Sequence, residues 1–272
     1  MSRGRSQAAL AGAATGTLVA FVILPVLAIF VRVPPAALLR ALRDPAVLDA
    51  LGVSLKTTSI ALLSILLVGT PAAWVLASRR FRGRGVLVTL LELPLVLPPA
   101  VAGIGLFAAF GRTGLLGGAL RAAGVEVPFT QVAVVMALAF VALPFYVRQA
   151  IAAFAAVDPD LVGAARTLGA GPGGAVLRVA VPVARPGLVA GAALAWARAL
   201  GEFGATILFA GSLRGRTQTL PLAVFEDFTR GDLEAALAAS ALLVVVSAGL
   251  LVGFRALVRA REGDGRGVGS ER

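Results

Sequence analysis

The sequence predicts an all-α polytopic membrane protein of about six transmembrane helices, with one helix–turn–helix projection between two of them. Two observations carry this. Of 272 residues, 58% are hydrophobic and only 14% charged, whereas a soluble domain carries about 25% charge. Apolar runs of about twenty residues, the length a helix needs to cross the hydrocarbon, recur along the whole chain. There is no Cys and no His. Their absence excludes disulfide scaffolds, iron–sulfur clusters, His- or Cys-ligated haem and His/Cys zinc sites, and it removes the commonest general base. The expectation is of no cofactor and no metal. The net charge of +11 comes from arginines scattered through the hydrophobic pattern, which fits membrane orientation better than nucleic-acid binding.

The runs place spans at 10–31, 51–77, 86–110, 130–150, 187–210 and 233–254. The first follows Arg3 and Arg5 and ends at Arg32, Pro34 and Pro35 without a convincing cleavage site, so it reads as an uncleaved span. With both termini cytoplasmic, fifteen basic residues fall inside, among them Arg79, Arg80, Arg82 and Arg84, Arg148, and five in the basic tail 255–272. Eight fall outside, and Lys56 and Arg198 lie within spans. The excess favours the termini-in orientation.

The third span contains Leu93-Pro94-Leu95-Val96-Leu97-Pro98-Pro99. Each proline removes a backbone donor and disturbs the preceding turn. In hydrocarbon, freed carbonyls need protein or a wet cavity. The segment is either a kinked packing helix or a broken helix lining a pathway.

After the fourth span, Val157–Pro186 loses membrane character. Asp158-Pro159-Asp160 opens it, and either Asp is suited to cap a short helix at Leu161–Leu168. Gly169, Gly171, Gly173 and Gly174 with Pro172 mark a turn, and a second short amphipathic stretch at Ala175–Val181 runs into Pro182 and Pro186. In the fifth span Arg198, Glu202 and Thr206 are spaced i, i+4, i+8, one polar stripe on a continuous helix. Charges at this depth cost about 2.5–3.5 kcal/mol on insertion scales, so they face protein or water. They form either an ion pair that locks helices together or the lining of an anion pathway. Gly201, Gly204 and Ala205 permit close helix approach. Lys56, beside Thr57, Thr58 and Ser59, either attracts an anion or packs and snorkels.

Two resemblances follow from these segments. Ala164-Ala165-Arg166-Thr167-Leu168-Gly169, then Val179, Val181 and Pro182, resembles the cytoplasmic coupling loop of binding-protein-dependent ABC permeases. That pattern reads Glu-Ala-Ala, three residues, Gly, nine residues, Ile-x-Leu-Pro. The family's Glu is Gly163 here, and Asp160 is the nearest acid. Ala-Arg-Ala-Leu-Gly-Glu-Phe-Gly-Ala at 197–205 resembles the signature of molybdate permeases, whose sulfate relatives often carry Val-Gly-Glu-Tyr-Gly. Phe110-Gly111-Arg112-Thr113-Gly114, Pro94, Leu97-Pro98-Pro99 and Thr217–Leu222 extend the match over about residues 50–250.

The resemblance implies a single permease domain over 1–272 in the cytoplasmic membrane, with a coupling loop at about 157–186 formed by Asp160, Gly163, Ala164, Ala165, Gly169, Val179 and Pro182. It implies partners too: a second copy of the chain, two cytoplasmic ATPase subunits and an external oxyanion-binding protein. Molybdate or tungstate is the expected cargo, with a sulfate/thiosulfate permease as the alternative, and the pathway residues would be Pro98, Pro99, Arg198, Glu202 and Thr206. No Gly-x-x-x-x-Gly-Lys-Ser/Thr is present, so ATP hydrolysis falls to the partners. Two other classes compete: an intramembrane enzyme using Arg198 and Glu202 as an acid–base pair, and a purely structural subunit, which would not need the 157–186 projection.

Overall fold

A computed structural model describes residues 2–264, all helices and turns. Segment 265–272 of the expected basic tail, and the side chains of Arg3, Arg5, Arg255, Arg259 and Arg261, lie outside the described residues.

Among the described residues, five helices are long and apolar enough to cross a membrane. They lie in α1 (Ser2–Arg32), α3 (Pro45–Ser78), α7 (Gln131–Ala155), the rod formed by α9 and α10, and α13 (Leu233–Asp264). The expected third span is two helices, α4 (Arg84–Val96) and α5 (Pro99–Phe110), turned by 115° at Leu97–Pro98. Counted as one bent span, they make the sixth. Short helices lie between these: α2 (Pro35–Ala41), α6 (Gly117–Ala122), α8 (Pro159–Thr167), α11 (Gly204–Ala210) and α12 (Leu220–Thr229).

Local chemistry sets the helix starts. Asp44 accepts from the Ala46 amide ahead of Pro45 to open α3, and Thr130 accepts from the Ala133 amide to open α7. α3, α7 and α10 form the core, with α5 and α11 against one side. Lipid offers no hydrophobic drive for helix association, so contact comes from small residues that let backbones approach. The buried positions are accordingly rich in alanine, including Ala61, Ala133, Ala137, Ala150 and Ala195. Tyr146 of α7 is the largest fully buried side chain; it shares a hydrogen bond with Thr70 of α3 and passes between Gly69 and Gly191. α1 packs on α13, and residues 10–28 of α1 are exposed.

The rod corrects the sequence reading at both ends. The second short helix of the projection is not separate. Pro172–Ala175 (α9) passes through a π turn at Val176–Ala180 into Val181–Leu200 (α10). In the π turn the Val181 amide donates to the Val176 carbonyl, five residues back. Pro182 follows immediately. It has no amide, and its ring would press on the Arg178 carbonyl in a regular α-turn; the wider turn relieves this. At the far end, α10 stops at Leu200 rather than running to 210.

Gly187 and Gly191 seat α10 on α7. A Cβ on Gly187 would lie 2.5 Å from the Ala153 Cβ, and one on Gly191 would lie 3.0 Å from the Gln149 Cβ. Gly187→Val should therefore part the two helices, costing about 1–3 kcal/mol, and lower the unfolding midpoint of the protein in detergent. Gly249→Ala on α13, where a Cβ meets nothing within 4 Å, should leave the midpoint unchanged or raise it. Equal midpoints for the two variants would refute the close α7–α10 contact.

Candidate functional site

The two broken helices meet. A Cβ on Gly204, the first residue of α11, would lie 2.8 Å from the Pro99 Cβ at the start of α5, and one on Gly103 would lie 2.7 Å from the Ala205 carbonyl oxygen. Only glycine permits that approach. Of the three small residues expected to admit a neighbour, Gly204 and Ala205 do so, while Gly201 is exposed and meets only its own helix.

Each break limits its own polar debt. Pro98 and Pro99 carry no amide proton, so the interruption between α4 and α5 leaves few donors to satisfy, and the Ala102 amide reaches the Pro98 carbonyl at 3.1 Å. On the other side Glu202 is buried, its side chain 1% exposed. One carboxylate oxygen pairs with the Arg198 guanidinium at 2.6 Å, and the other accepts from the Ala205 amide at 2.8 Å. Glu202 thus caps the first turn of α11 as well as neutralising Arg198. Arg198 is the more open partner, with its side chain 27% exposed. The arrangement presents a guanidinium outward, with its counter-charge drawn in behind it.

Arg198 and Glu202 meet, but the chain leaves the helix at Gly201–Phe203, so Thr206 belongs to α11 and not to the same face. Thr206 is fully buried and its hydroxyl has no partner among the described residues. Pro98 and Pro99 are exposed at the break. Lys56 lies apart from this junction; its ammonium donates to the Gln131 side chain at 2.8 Å, and Thr57 and Thr58 are buried.

The projection is the second feature. Asp158, not Asp160, caps α8 by accepting from the Asp160 amide. Gly169 ends α8 with φ +91°, the Ala170 amide reaching the Ala165 carbonyl and the Gly169 amide the Arg166 carbonyl, a Schellman ending that favours glycine. Val162 and Ala175 pack inward, whereas Leu161, Leu168 and Leu177 stand exposed. Asp160, Gly163 and Ala164 lie on the exposed side, Ala165 is half-buried, and Val179 and Pro182 sit on the rod, in the π turn and just after it. A side chain at Gly163 would meet nothing within 4 Å, so there is room for the glutamate of the resembling pattern.

Sequence reasoning missed the supports of the 211–219 loop, at the opposite end of the bundle. Ser54 of α3 accepts from the Leu220 amide at 2.7 Å and Gln218 is buried against Glu226; nearby, Phe203 packs at a 51° tilt against Phe225 of α12 with centroids 4.7 Å apart. No spacing rule links residues 166 positions apart. The same end holds a polar pocket of about 480 Å³ lined by Arg40, Arg214 and Arg230 with five carboxylates. Among them, burial, then the neighbouring Asp232, pushes the Asp227 carboxyl above its usual range.

Arg198→Ala should destabilise the assembled protein by about 3–5 kcal/mol, because it leaves a buried carboxylate unpaired. Arg198→Ala with Glu202→Ala should recover most of that loss. A deficit of about 1 kcal/mol should remain, since the Ala205 amide then lacks its acceptor. Unfolding midpoints across the double-mutant cycle check this, and simple additivity would contradict the pairing.

Comparison with known proteins places this architecture. Residues 65–262 match the family described as binding-protein-dependent transport system inner membrane component. The chain is 44% identical over 238 residues to the molybdenum transport system permease protein ModB of Mycobacterium tuberculosis, covering 88% of this chain and 90% of that one. It is 37% identical to the chloroplastic sulfate permease 2 of Chlamydomonas reinhardtii, covering 89% of this chain and 66% of that one. Its fold is similar to that of a bacterial ABC transporter that imports alginate, at TM-score 0.73 and 16% identity, covering 92% of this chain and 95% of that one. These relatives are transport permeases, which sets aside the reading of Arg198 and Glu202 as an enzyme's acid–base pair. The chain belongs to the family of binding-protein-dependent transport system inner membrane components.

Proposed function

We propose that this chain is the permease through which an ABC importer carries molybdate or tungstate across the cytoplasmic membrane. The observation that carries the reading is the identity of 44% to a molybdenum permease along nearly the whole of both chains. Leu200 and Phe203, in the molybdate form of the signature, agree with it. In this reading residues 1–272 form one permease unit with both termini cytoplasmic, working as a pair of identical subunits. Two cytoplasmic ATPases supply the energy and an external oxyanion-binding protein delivers the anion.

The break between α10 and α11 supports a passage at that point. Non-helical backbone at membrane depth is tolerated where protein buries it or where it lines a wet cavity, and here it sits beside a half-buried guanidinium, that of Arg198. Arg198 would offer a passing dianion positive potential, and Glu202 would hold that potential low enough for release. Pro98 and Pro99 keep the facing wall open, and Thr206 offers a hydroxyl without a partner among the described residues. The projection at 157–186 is the ATPase contact in this reading: Asp160, Gly163, Ala164, Ala165 and Gly169 form its outer helix and turn, and Val179 and Pro182 its root.

The reconstituted complex with its binding protein should take up molybdate on ATP addition, with tungstate competing and sulfate competing at least tenfold more weakly. Equal competition by sulfate would place the chain in the sulfate branch. In the same assay Gly169→Val should uncouple hydrolysis from uptake or release the ATPase, since a β-branched residue at φ +91° costs about 1–2 kcal/mol and reshapes the turn. Gly163→Glu should couple normally. Normal coupling in Gly169→Val would remove the turn from the contact.

A further inference from the structure

The turn joining α3 to α4 carries Arg79-Arg80-Phe81-Arg82-Gly83-Arg84, which the transport reading uses only as a marker of orientation. Of the other arginines whose side chains are described, nearly half pair with a carboxylate: Arg40, Arg112, Arg148, Arg198, Arg214 and Arg230. What sets this turn apart is three guanidiniums within four residues, unpaired among the residues described. Among the described residues no carboxylate pairs with Arg79, Arg80 or Arg82, all three are exposed, and the first turn of α4 contains no acid. Arg84 is different in kind: its Nε donates to the Leu76 carbonyl at 2.6 Å, which ties the turn back to the end of α3.

The level of this turn relative to the bilayer follows from the chain. From Thr57 to Ser78 α3 bears no charge. At 1.5 Å per residue that run is about 33 Å long, close to the hydrocarbon thickness. Arg79 therefore falls where the headgroups begin. The turn is too short to leave that layer, because α4 starts again at Arg84 after Gly83 takes φ +89°. Phe81 stands 41% exposed between Arg80 and Arg82 in sequence, a wholly apolar ring whose favourable place at this level is on the acyl-chain side.

We propose that the α3–α4 turn is a binding site for anionic phospholipid. Arg79, Arg80 and Arg82 hold the phosphate and Phe81 lies against the upper acyl carbons. Guanidinium groups match phosphate oxygens in geometry, two donors to two acceptors. A lipid phosphate is the anion available at that depth. The inference goes beyond the transport reading and needs only the membrane-spanning fold, so its failure would leave the molybdate assignment untouched.

Native mass spectrometry of the full chain in detergent tests it, titrating phosphatidylglycerol, phosphatidylcholine and inorganic phosphate separately. The unaltered protein should prefer phosphatidylglycerol to phosphatidylcholine. At about fivefold in affinity per arginine near the surface, Arg79→Gln, Arg80→Gln and Arg82→Gln together should cut that preference by about a hundredfold. The corresponding triple Lys variant keeps the charge and should keep most of the preference; it also guards against a fold lost through the substitutions. A triple Gln variant that unfolds at the usual midpoint and keeps its lipid preference would overturn the proposal. So would inorganic phosphate bound as tightly as the lipid, which would mark a site for free anions. Loss of the copurifying ATPase with lipid preference intact would assign the turn to a protein contact instead, and that too would overturn it.

Discussion

Backbone that leaves a helix at membrane depth has to find its hydrogen bonds in protein or in trapped water, and most of this structure follows from where two helices break together. On one side the interruption falls at Leu97-Pro98-Pro99, where consecutive prolines have no amides to orphan. On the other it falls at Gly201-Glu202-Phe203, where a buried carboxylate supplies an acceptor to the restarted helix through Ala205. The two breaks are in contact because Gly103 and Gly204 have no side chains to hold them apart. Remove the carboxylate and the restart loses its cap; add a Cβ at Gly204 and the breaks separate. An isolated charge would be costly there, so Arg198 is bound up with the same solution.

One helix connects that junction to the projection. From Pro172 to Leu200 the chain is continuously helical, about 44 Å at 1.5 Å per residue. The α8 turn packs on one end and the Glu202 break follows the other. Gly187 and Gly191 press it against α7, and Tyr146 ties α7 to α3 through Thr70. In the proposed transport cycle, a push on the projection moves the rod against a close-packed core, which responds as a body rather than deforming locally. The π turn above Pro182 sets how the projection is rotated about the rod, because each residue gained or lost in a helix turns everything beyond it by about 100°.

Much of this was legible because it is written in local chemistry. Run length and missing charge give the spans. Asp158-Pro159-Asp160 gives the start of α8 though not which Asp caps it, Gly169 gives its left-handed end, and three prolines in one apolar run announce the bend between α4 and α5. The end of α10 was not legible. Ala197-Arg198-Ala199-Leu200 and Ala205-Thr206-Ile207-Leu208 have the same apolar, helix-permitting character, and Gly201 alone is tolerated inside a helix at a cost of about 1 kcal/mol. What ends the helix is tertiary, the close approach of α5 at Gly204 and Ala205; the local cap from Glu202 to the Ala205 amide carries no signal of its own, because the same Arg198–Glu202 spacing suits an unbroken helix equally well. The π turn was invisible for a related reason, since nothing in Val176–Ala180 requires it and its cause is the proline that follows. Contacts such as Lys56 with Gln131 and Ser54 with Leu220 join residues far apart in sequence and carry no periodic signal.

The central claim is that water reaches the junction of the two breaks, as a passage for a hydrated dianion requires. Because the chain has no cysteine, single cysteines introduced one at a time report solvent access without background from this subunit, whose labelling is read on its own gel band. In the assembled complex in membranes, a cysteine at Pro98 or at Phe203 should react with a charged, membrane-impermeant thiol reagent, and bound molybdate should slow that reaction. A cysteine at Leu63 or Leu67, on the exposed apolar face of α3, should stay unreactive. If cysteines at the breaks prove as inert as those on α3, the junction is a dry packing contact and the account of this site as a passage is wrong.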